Sequence, residues 1–389
     1  MKRYLLVSGD FAPWGGMDRA NLALAETLLR RGHALEVVAH RLTVDVAAWP
    51  RLRFHRVHRP AGSHWLGAPL LRRTGLARAA DVARAGGRVV VNGGNCPWGD
   101  ANWVHYVHAG HAPAGGSVGA RRWIVGWKHR SHIAHERVAL GRARCVIANS
   151  ERTRRECIEH LGVSPERIRT IYYGIDAAVF RPPTAEERAM ARVELAWAPN
   201  RPVLLFVGGL GDRRKGLDTL LTAWERRGVF PDGALLAIVG AGAELARWRV
   251  HVTRRGLAQS VQFLGFRTDV PRLLGAADAL VAPTRYEAYG LGVHEALCCS
   301  LPALVSAHAG VAERYPETLR SLLLADPDDA EGLANAIGDV LALDPVRRRQ
   351  VTELGTALRQ RDWSAMAGDV IEWIESTSPG ASEPSGRRR

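Results

Sequence analysis

Two glutamates, Glu287 and Glu295, stand eight positions apart in the run Thr284-Arg285-Tyr286-Glu287-Ala288-Tyr289-Gly290-Leu291-Gly292-Val293-His294-Glu295. The apolar run Ala279-Leu280-Val281-Ala282-Pro283 immediately before them reads as a buried parallel strand, and Val293 onward reads as a helix start. Glu287 then falls on a strand-to-helix loop and Glu295 in the first turn or two of the helix. The glycines between them let a ligand approach the backbone closely, and a helix N-terminus favours a bound anion. In open α/β sheets, ligands bind at the carboxyl ends of strands, so both acids are expected to face one crevice. Carboxylates beside an anion site suit a ligand with hydroxyls at one end and phosphate in the middle. A nucleotide-diphosphate sugar has that form.

A second glycine-rich turn, Phe206-Val207-Gly208-Gly209-Leu210-Gly211-Asp212-Arg213-Arg214-Lys215-Gly216, also follows a strand and leads into a helix. Exposed backbone N–H groups with compensating cations form a phosphate-binding arrangement. Lys215 is one of only three lysines (Lys2, Lys128, Lys215) among 53 basic residues, which suggests a need for a compact point charge there. A solvated loop of charge is the plainer alternative, and the P-loop spacing Gly-x-x-x-x-Gly-Lys-Ser/Thr is absent. Val239-Gly240-Ala241-Gly242 is another glycine pair at a strand end, and Gly265-Phe266-Arg267 follows a strand with backbone that could meet a nucleotide base; each is weak alone. In the first half, Pro13-Trp14-Gly15-Gly16 lies between a first strand and a first helix, where glycines again permit close approach. His105, His108 and His111 lie at the end of a strand expected over 103–107. Their spacing does not place all three on one strand face, so no metal site is expected, and a structural hydrogen bond is the ordinary role of such a histidine.

These residues require alternating strands and helices. In the first half, Tyr4–Ser8, Leu35–Ala39, Arg88–Asn92, Trp103–Val107 and Cys145–Ala148 read as strands, with Asp18–Arg31 and Trp123–Leu140 as helices. After Pro182-Pro183 a second series opens with strands at Val203–Val207, Leu235–Val239, Val261–Leu264, Ala279–Ala282 and Ala303–Ser306, and helices between and after them. Such alternation implies parallel βαβ units and two Rossmann-like domains. At 389 residues the chain also exceeds one typical core. The expected division is 1–181, 182–362, a closing helix over 363–375, and a Ser/Pro/Gly-rich tail over 376–389 that reads as disordered.

Composition narrows the partners. No apolar run approaches the roughly 20 residues needed to span a bilayer, and the N-terminus reads as a strand rather than a signal peptide. A cytoplasmic protein is expected. Five cysteines with no zinc-like spacing fit reduced thiols. Residues 1–181 hold 28 Lys+Arg against 13 Asp+Glu, whereas the remainder is nearly balanced. The basic half suggests peripheral contact with an anionic membrane on its inner face, or a phosphorylated acceptor; a solvated arginine-rich surface explains it equally well. No nucleic-acid-binding motif accompanies the charge, and Gly-x-Gly-x-x-Gly is missing after the first strand, which argues against dinucleotide oxidoreduction.

Taken together, the ordered motifs resemble the retaining glycosyltransferases of family 4 over the chain to about residue 375. Further matching segments are Val146-Ile147-Ala148-Asn149-Ser150-Glu151 and Tyr173-Gly174-Ile175-Asp176 with Phe180-Arg181-Pro182. The resemblance implies the GT-B fold: two Rossmann-like domains facing each other across a cleft, acceptor on the first, donor on the second, and a C-terminal helix crossing back. It implies that Glu287 holds donor sugar hydroxyls, Glu295 the ribose, and Lys215 the diphosphate. Gly290 and Leu291 would supply backbone near the phosphates and Gly16 would approach from the first domain, with Gly240 and Phe266 completing the donor site. His108 best matches the family's first-domain histidine, with His105 as the alternative. The family often has arginine where Gly209 stands, so Arg213 or Arg214 is left to supply that charge. The implied reaction moves a hexose from a UDP- or GDP-sugar to a saccharide or lipid-linked hydroxyl with retention. It needs no cofactor and no metal; the only Asp-x-Asp triplet, Asp326-Pro327-Asp328, lies in a later loop. A 2-epimerase-like enzyme or an inactive sugar-nucleotide-binding protein would use the same cleft.

Overall fold

The computed structural model describes residues 1–45, 48–111, 120–211, 213–226, 230 and 233–377. The chain divides into two compact units, Met1–Tyr173 together with Trp363 onward, and Gly174–Asp362. The first unit is built on a seven-stranded sheet in the spatial order Leu52–Arg56, Ala34–Ala39, Arg3–Val7, Arg88–Asn92, Ala101–Val104, Cys145–Ala148, Ile168–Thr170. Every neighbouring pair is parallel. The second unit has a six-stranded parallel sheet in the order Val261–Gly265, Leu235–Val239, Val203–Val207, Ala279–Ala282, Ala303–Ser306, Leu323–Leu324. Strands such as Val-Leu-Leu-Phe-Val and Leu-Leu-Ala-Ile-Val are apolar on both faces because helices cover both sides, as parallel sheets require.

In each sheet the first strand in sequence lies inside, and the order reverses beside it. The reversal falls between Arg3–Val7 and Arg88–Asn92 in the first unit, and between Val203–Val207 and Ala279–Ala282 in the second. Loops leaving two such strands diverge to opposite faces, and the crevice this opens is where α/β sheets bind ligands.

Some expected elements shift. The strand expected to run through Val107 ends at Val104, and His108–Gly110 forms a single 3-10 turn. The reason is local: the His108 N–H donates to the Glu136 carboxylate at 3.0 Å instead of joining a ladder. The division between units falls at Tyr173/Gly174 rather than at Arg181/Pro182. Ile175 and Phe180 are buried in the core of the second unit, so the chain has already entered it before the prolines. Thr184 and Glu187 then form a reciprocal capping box that starts the helix Ala185–Glu194.

The helix Trp363–Ser376 packs on the first unit. The Tyr4 hydroxyl donates to Glu375 at 2.6 Å, Trp373 Nε1 donates to the Val146 carbonyl at 3.3 Å, and Arg88 donates to the Ile374 carbonyl. The expected tail lies outside the described residues from 378 onward. All five cysteines are buried and unpaired. No helix among the described residues is long and apolar enough to cross a membrane.

Candidate functional site

The two loops that leave the reversal point of the second sheet bring Lys215 and Glu287 together. Lys215 Nζ forms an ion pair with Glu287 Oε2. The side chains are 24% and 18% exposed, so the pair is shielded but reachable by a ligand. Sequence separates these residues by a whole set of βα units; the sheet order joins them.

The Lys215 loop is held by shape. Gly216 adopts φ 72°, and a Cβ there would sit 1.8 Å from the Pro283 carbonyl oxygen. Only glycine therefore lets this turn press against the end of the neighbouring strand. Hydrogen bonds complete the junction. Arg285 N–H donates to the Arg214 carbonyl at 2.8 Å, and the Thr284 hydroxyl lies 3.0 Å from the same oxygen and 2.8 Å from the Tyr286 carbonyl.

The Glu287 loop is held from its other side. Gly310 N–H donates to the Glu287 carbonyl at 3.1 Å and Val311 N–H to the Tyr289 carbonyl at 2.6 Å. Tyr286 and Tyr289 are buried beneath it, and the Tyr289 hydroxyl meets His294 Nδ1 at 2.5 Å. Burial pushes the His294 pKa down to about 3, with the Arg314 charge adding to it, so this histidine is a neutral brace. Gly290 caps the helix Leu291–Cys298 at φ 109°, with Val311 Cγ1 2.9 Å from where its Cβ would stand. The helix N-terminus therefore opens directly beside Glu287. A cavity of about 40 Å³ lined by Lys215, Thr284, Glu287, Gly290 and Gly292 marks this junction. Glu295 lies one turn into the helix and is 7% exposed.

The adjoining strand ends are stitched together by glycines. Gly208 N–H donates to the Val239 carbonyl at 3.0 Å and Gly240 N–H to the Gly265 carbonyl at 2.8 Å. A Cβ at Gly240 would lie 1.8 Å from the Gly208 carbonyl oxygen. Phe266 follows and is 68% exposed. Of the two arginines that could add charge, Arg213 is directed at Asp218, 3.9 Å away, and Arg214 donates to the Tyr286 carbonyl at 3.2 Å.

Sequence reasoning passed over Arg285. Its guanidinium joins Asp218 at 2.8 Å, Thr219 at 3.0 Å and Asp328 at 2.6 Å, and also donates to the Arg213 carbonyl. Burial opposes its charge, but the Asp218 and Asp328 hydrogen bonds prevail and raise its pKa. It fastens the Glu287 loop to the Lys215 loop. The available signal was its place two residues before Glu287.

In the first unit, Gly16 is the first residue of the helix Gly16–Arg30, after Gly15 at φ 80°. The two candidate histidines separate. His105 is buried, with Nδ1 2.6 Å from the Tyr173 hydroxyl, and burial alone pushes its pKa down to about 3. His108 lines a cavity of about 970 Å³, its Nδ1 2.5 Å from the buried Glu136 and its ring stacked on His132 at 4.7 Å. Glu136 orients the His108 ring and leaves Nε2 as the other functional nitrogen. Among the described residues, no group of three or more His, Cys, Asp or Glu could hold a metal ion.

Two parallel-sheet units of this kind are those of the GT-B fold. Residues 14–179 match the model of Glycosyltransferase Family 4 and residues 201–342 that of Glycosyl transferases group 1. The chain belongs to this family and is a glycosyltransferase. Among its relatives is the D-inositol 3-phosphate glycosyltransferase of Jonesia denitrificans, 28% identical over 74% of each chain. Another is the alpha-maltose-1-phosphate synthase of Mycolicibacterium smegmatis, 31% identical over 62% of this chain and 66% of that one. Among solved structures, sucrose-phosphate synthase from Thermosynechococcus elongatus superposes with a TM-score of 0.76 at 23% identity, covering 97% of this chain and 100% of that one. The Anabaena protein HepE in complex with UDP and glucose gives 0.71 at 19%, with the same coverage.

Proposed function

We propose that this glycosyltransferase moves a hexose from a UDP- or GDP-sugar to a hydroxyl of a saccharide or lipid-linked acceptor, with retention of configuration and without a metal. The observation that carries the reading is the Lys215–Glu287 pair at the reversal of the second sheet, beside the helix N-terminus at Gly290. A diphosphate is a stronger partner for Lys215 than one carboxylate, and the helix N-terminal amides of Gly290 and Leu291 add to its attraction. When the diphosphate takes Lys215, Glu287 is released to accept hydrogen bonds from sugar hydroxyls. Glu295 holds the ribose hydroxyls, and Phe266 and Gly240 border the base and phosphates.

In the transfer the anomeric carbon–oxygen bond to the diphosphate breaks and the bond to the acceptor oxygen forms. The acceptor proton passes to a phosphate oxygen of the leaving group. Lys215 and the helix N-terminus stabilise the negative charge that develops there, and fixed charges and dipoles aimed at such a centre are the strongest catalytic aid a site of this kind can offer. His108, oriented by Glu136, is assigned to the acceptor side. The protein is assigned to the cytoplasm. Its basic first half is assigned weak contact with anionic membrane, to be checked by salt-sensitive liposome sedimentation.

The test is nucleotide release and product NMR across UDP- and GDP-sugars, with UDP-glucose and GDP-mannose first. One donor should turn over, and the product should keep the donor's anomeric configuration in the presence of EDTA. Lys215→Ala and Glu287→Gln should each lower turnover by about 10²-fold or more. Inverted product, or normal turnover in both variants, overturns the reading. A 2-epimer without any transfer would favour the epimerase reading instead.

A further inference from the structure

The cavity of about 970 Å³ in the first unit lies among residues of two helices, His64–Arg84 and Ala120–Arg142. Its apolar lining includes Trp65, Leu66 and Leu76 from the first helix and Trp127 from the second. The Trp65 and Trp127 rings meet edge to face at 5.9 Å, yet the two residues remain 39% and 54% exposed. Large aromatic surface left open inside a concave pocket marks a binding site rather than a core. Arg72 and Arg73 line the same cavity, and neither guanidinium has an ion-pair partner among the described residues. They lie seven to eight residues beyond Trp65, roughly 10–12 Å along the helix at about 1.5 Å per residue.

We propose that this cavity is the acceptor subsite and that it takes an amphiphilic anion, an acceptor whose apolar portion rests on Trp65 and Trp127 and whose phosphate or carboxylate meets Arg72 and Arg73. The assignment to the acceptor rests on the proposed function, through His108 in the cavity wall. The ligand chemistry rests on the cavity alone. The one acid in the lining, Glu136, is held by His108 Nδ1 and by the His108 N–H at 3.0 Å and makes no ion pair with either arginine. Lys128 adds a third cation at the rim, its Nζ 4.9 Å above the Trp65 ring. Of these cations Arg72 acts on a lining histidine: burial first and then the Arg72 charge lower the His135 pKa. An apolar wall alone would take a neutral lipid, and a cationic wall alone would take inorganic phosphate. The combination selects for both features in one molecule.

The test uses the full-length protein and calorimetry with decyl phosphate below its micelle-forming concentration, against decyl glucoside and inorganic phosphate, without any donor. Decyl phosphate should bind at least 10-fold more tightly than either comparison compound. Trp127→Ala should weaken it about 10-fold, and Arg72→Gln with Arg73→Gln should weaken it to the level of decyl glucoside. Arg56→Gln, in a different basic surface, should leave it unchanged. An unchanged far-UV circular dichroism spectrum and unfolding midpoint, which report on the first unit as well as the second, show that the variants are folded. UDP binding, which the proposed function places in the second unit, is measured separately, and its absence from the wild type would count against the donor reading without touching this one. Equal affinity for decyl phosphate and inorganic phosphate overturns the proposal. Binding to phosphatidylglycerol vesicles without binding of monomeric decyl phosphate overturns it too, in favour of adhesion to a lipid surface.

Discussion

Gly216→Ala is the substitution whose consequence can be worked most fully from the structure. The residue sits at φ 72°, and the added Cβ would lie 1.8 Å from the Pro283 carbonyl oxygen, whereas ordinary contact begins at 3.4 Å. The two backbones must therefore part by about 1.6 Å. Left-handed backbone costs a non-glycine residue about 1–2 kcal/mol, and an overpacked contact adds about 1–3 kcal/mol. The expected loss of stability is thus about 2–5 kcal/mol, read from denaturant unfolding. The functional effect should be larger in proportion. Pro283 leads into the segment bearing Glu287, and Gly216 directly follows Lys215, so the separation opens between the members of the ion pair. A displacement of about 1 Å at a positioned group can cost about 10²-fold. Turnover per folded molecule should fall about 100-fold. Gly141→Ala is the matched control: nothing lies within 4 Å of its Cβ, and its helix tolerates alanine. Turnover within twofold of wild type and an unchanged unfolding midpoint for Gly216→Ala would refute the claim that this contact sets the site's geometry.

Arg285→Ala should cost about 2–3 kcal/mol, because it strips a charged hydrogen-bond partner from Asp218 in a partly buried network. Turnover should drop with it, and Arg285→Lys should restore little, since one ammonium cannot span Asp218, Thr219 and Asp328; full rescue by lysine would contradict the assigned role. His294, with its pKa lowered to about 3, binds fewer protons in the folded state than in the unfolded chain between about pH 6.5 and pH 3. Its contribution is therefore complete above pH 6.5 and is lost as pH falls, by up to about 1.4 kcal/mol per pH unit. His294→Gln should flatten the fall in stability between pH 6.5 and 5; an unchanged slope would show that His294 is not held neutral. His105, with a pKa of about 3, should show neutral-imidazole NMR shifts at pH 5, and a charged form at that pH would contradict its burial.

The second sheet was largely readable from sequence because its strands are short and apolar, and three of them run into glycine at Gly208, Gly240 and Gly265. Glu287 and Lys215 were legible for the same reason: each follows such a strand. What sequence could not state was their direct contact, which depends on strand order. The first unit was less legible. The helix His64–Arg84 contains Pro69, Gly67 and Gly75 and is rich in arginine, so its periodicity is blurred. Its glycines are packing sites: a Cβ at Gly75 would lie 2.9 Å from Val7 Cγ1. The choice between His105 and His108 needed burial and partners, which spacing does not encode.

The last helix has a consequence for how the chain is made. Residues Trp363–Ser376 belong to the unit that begins at Met1, and their partners include Lys2, Tyr4 and Arg88. On the ribosome, those partners emerge first and wait while all of Gly174–Asp362 is synthesised. The guest unit can complete its own sheet during that interval, whereas its host cannot close until the final helix arrives. Sites on Tyr4 and Arg88 thus stay open for most of translation, and a ribosome that stops short of residue 363 releases a host with an uncovered face.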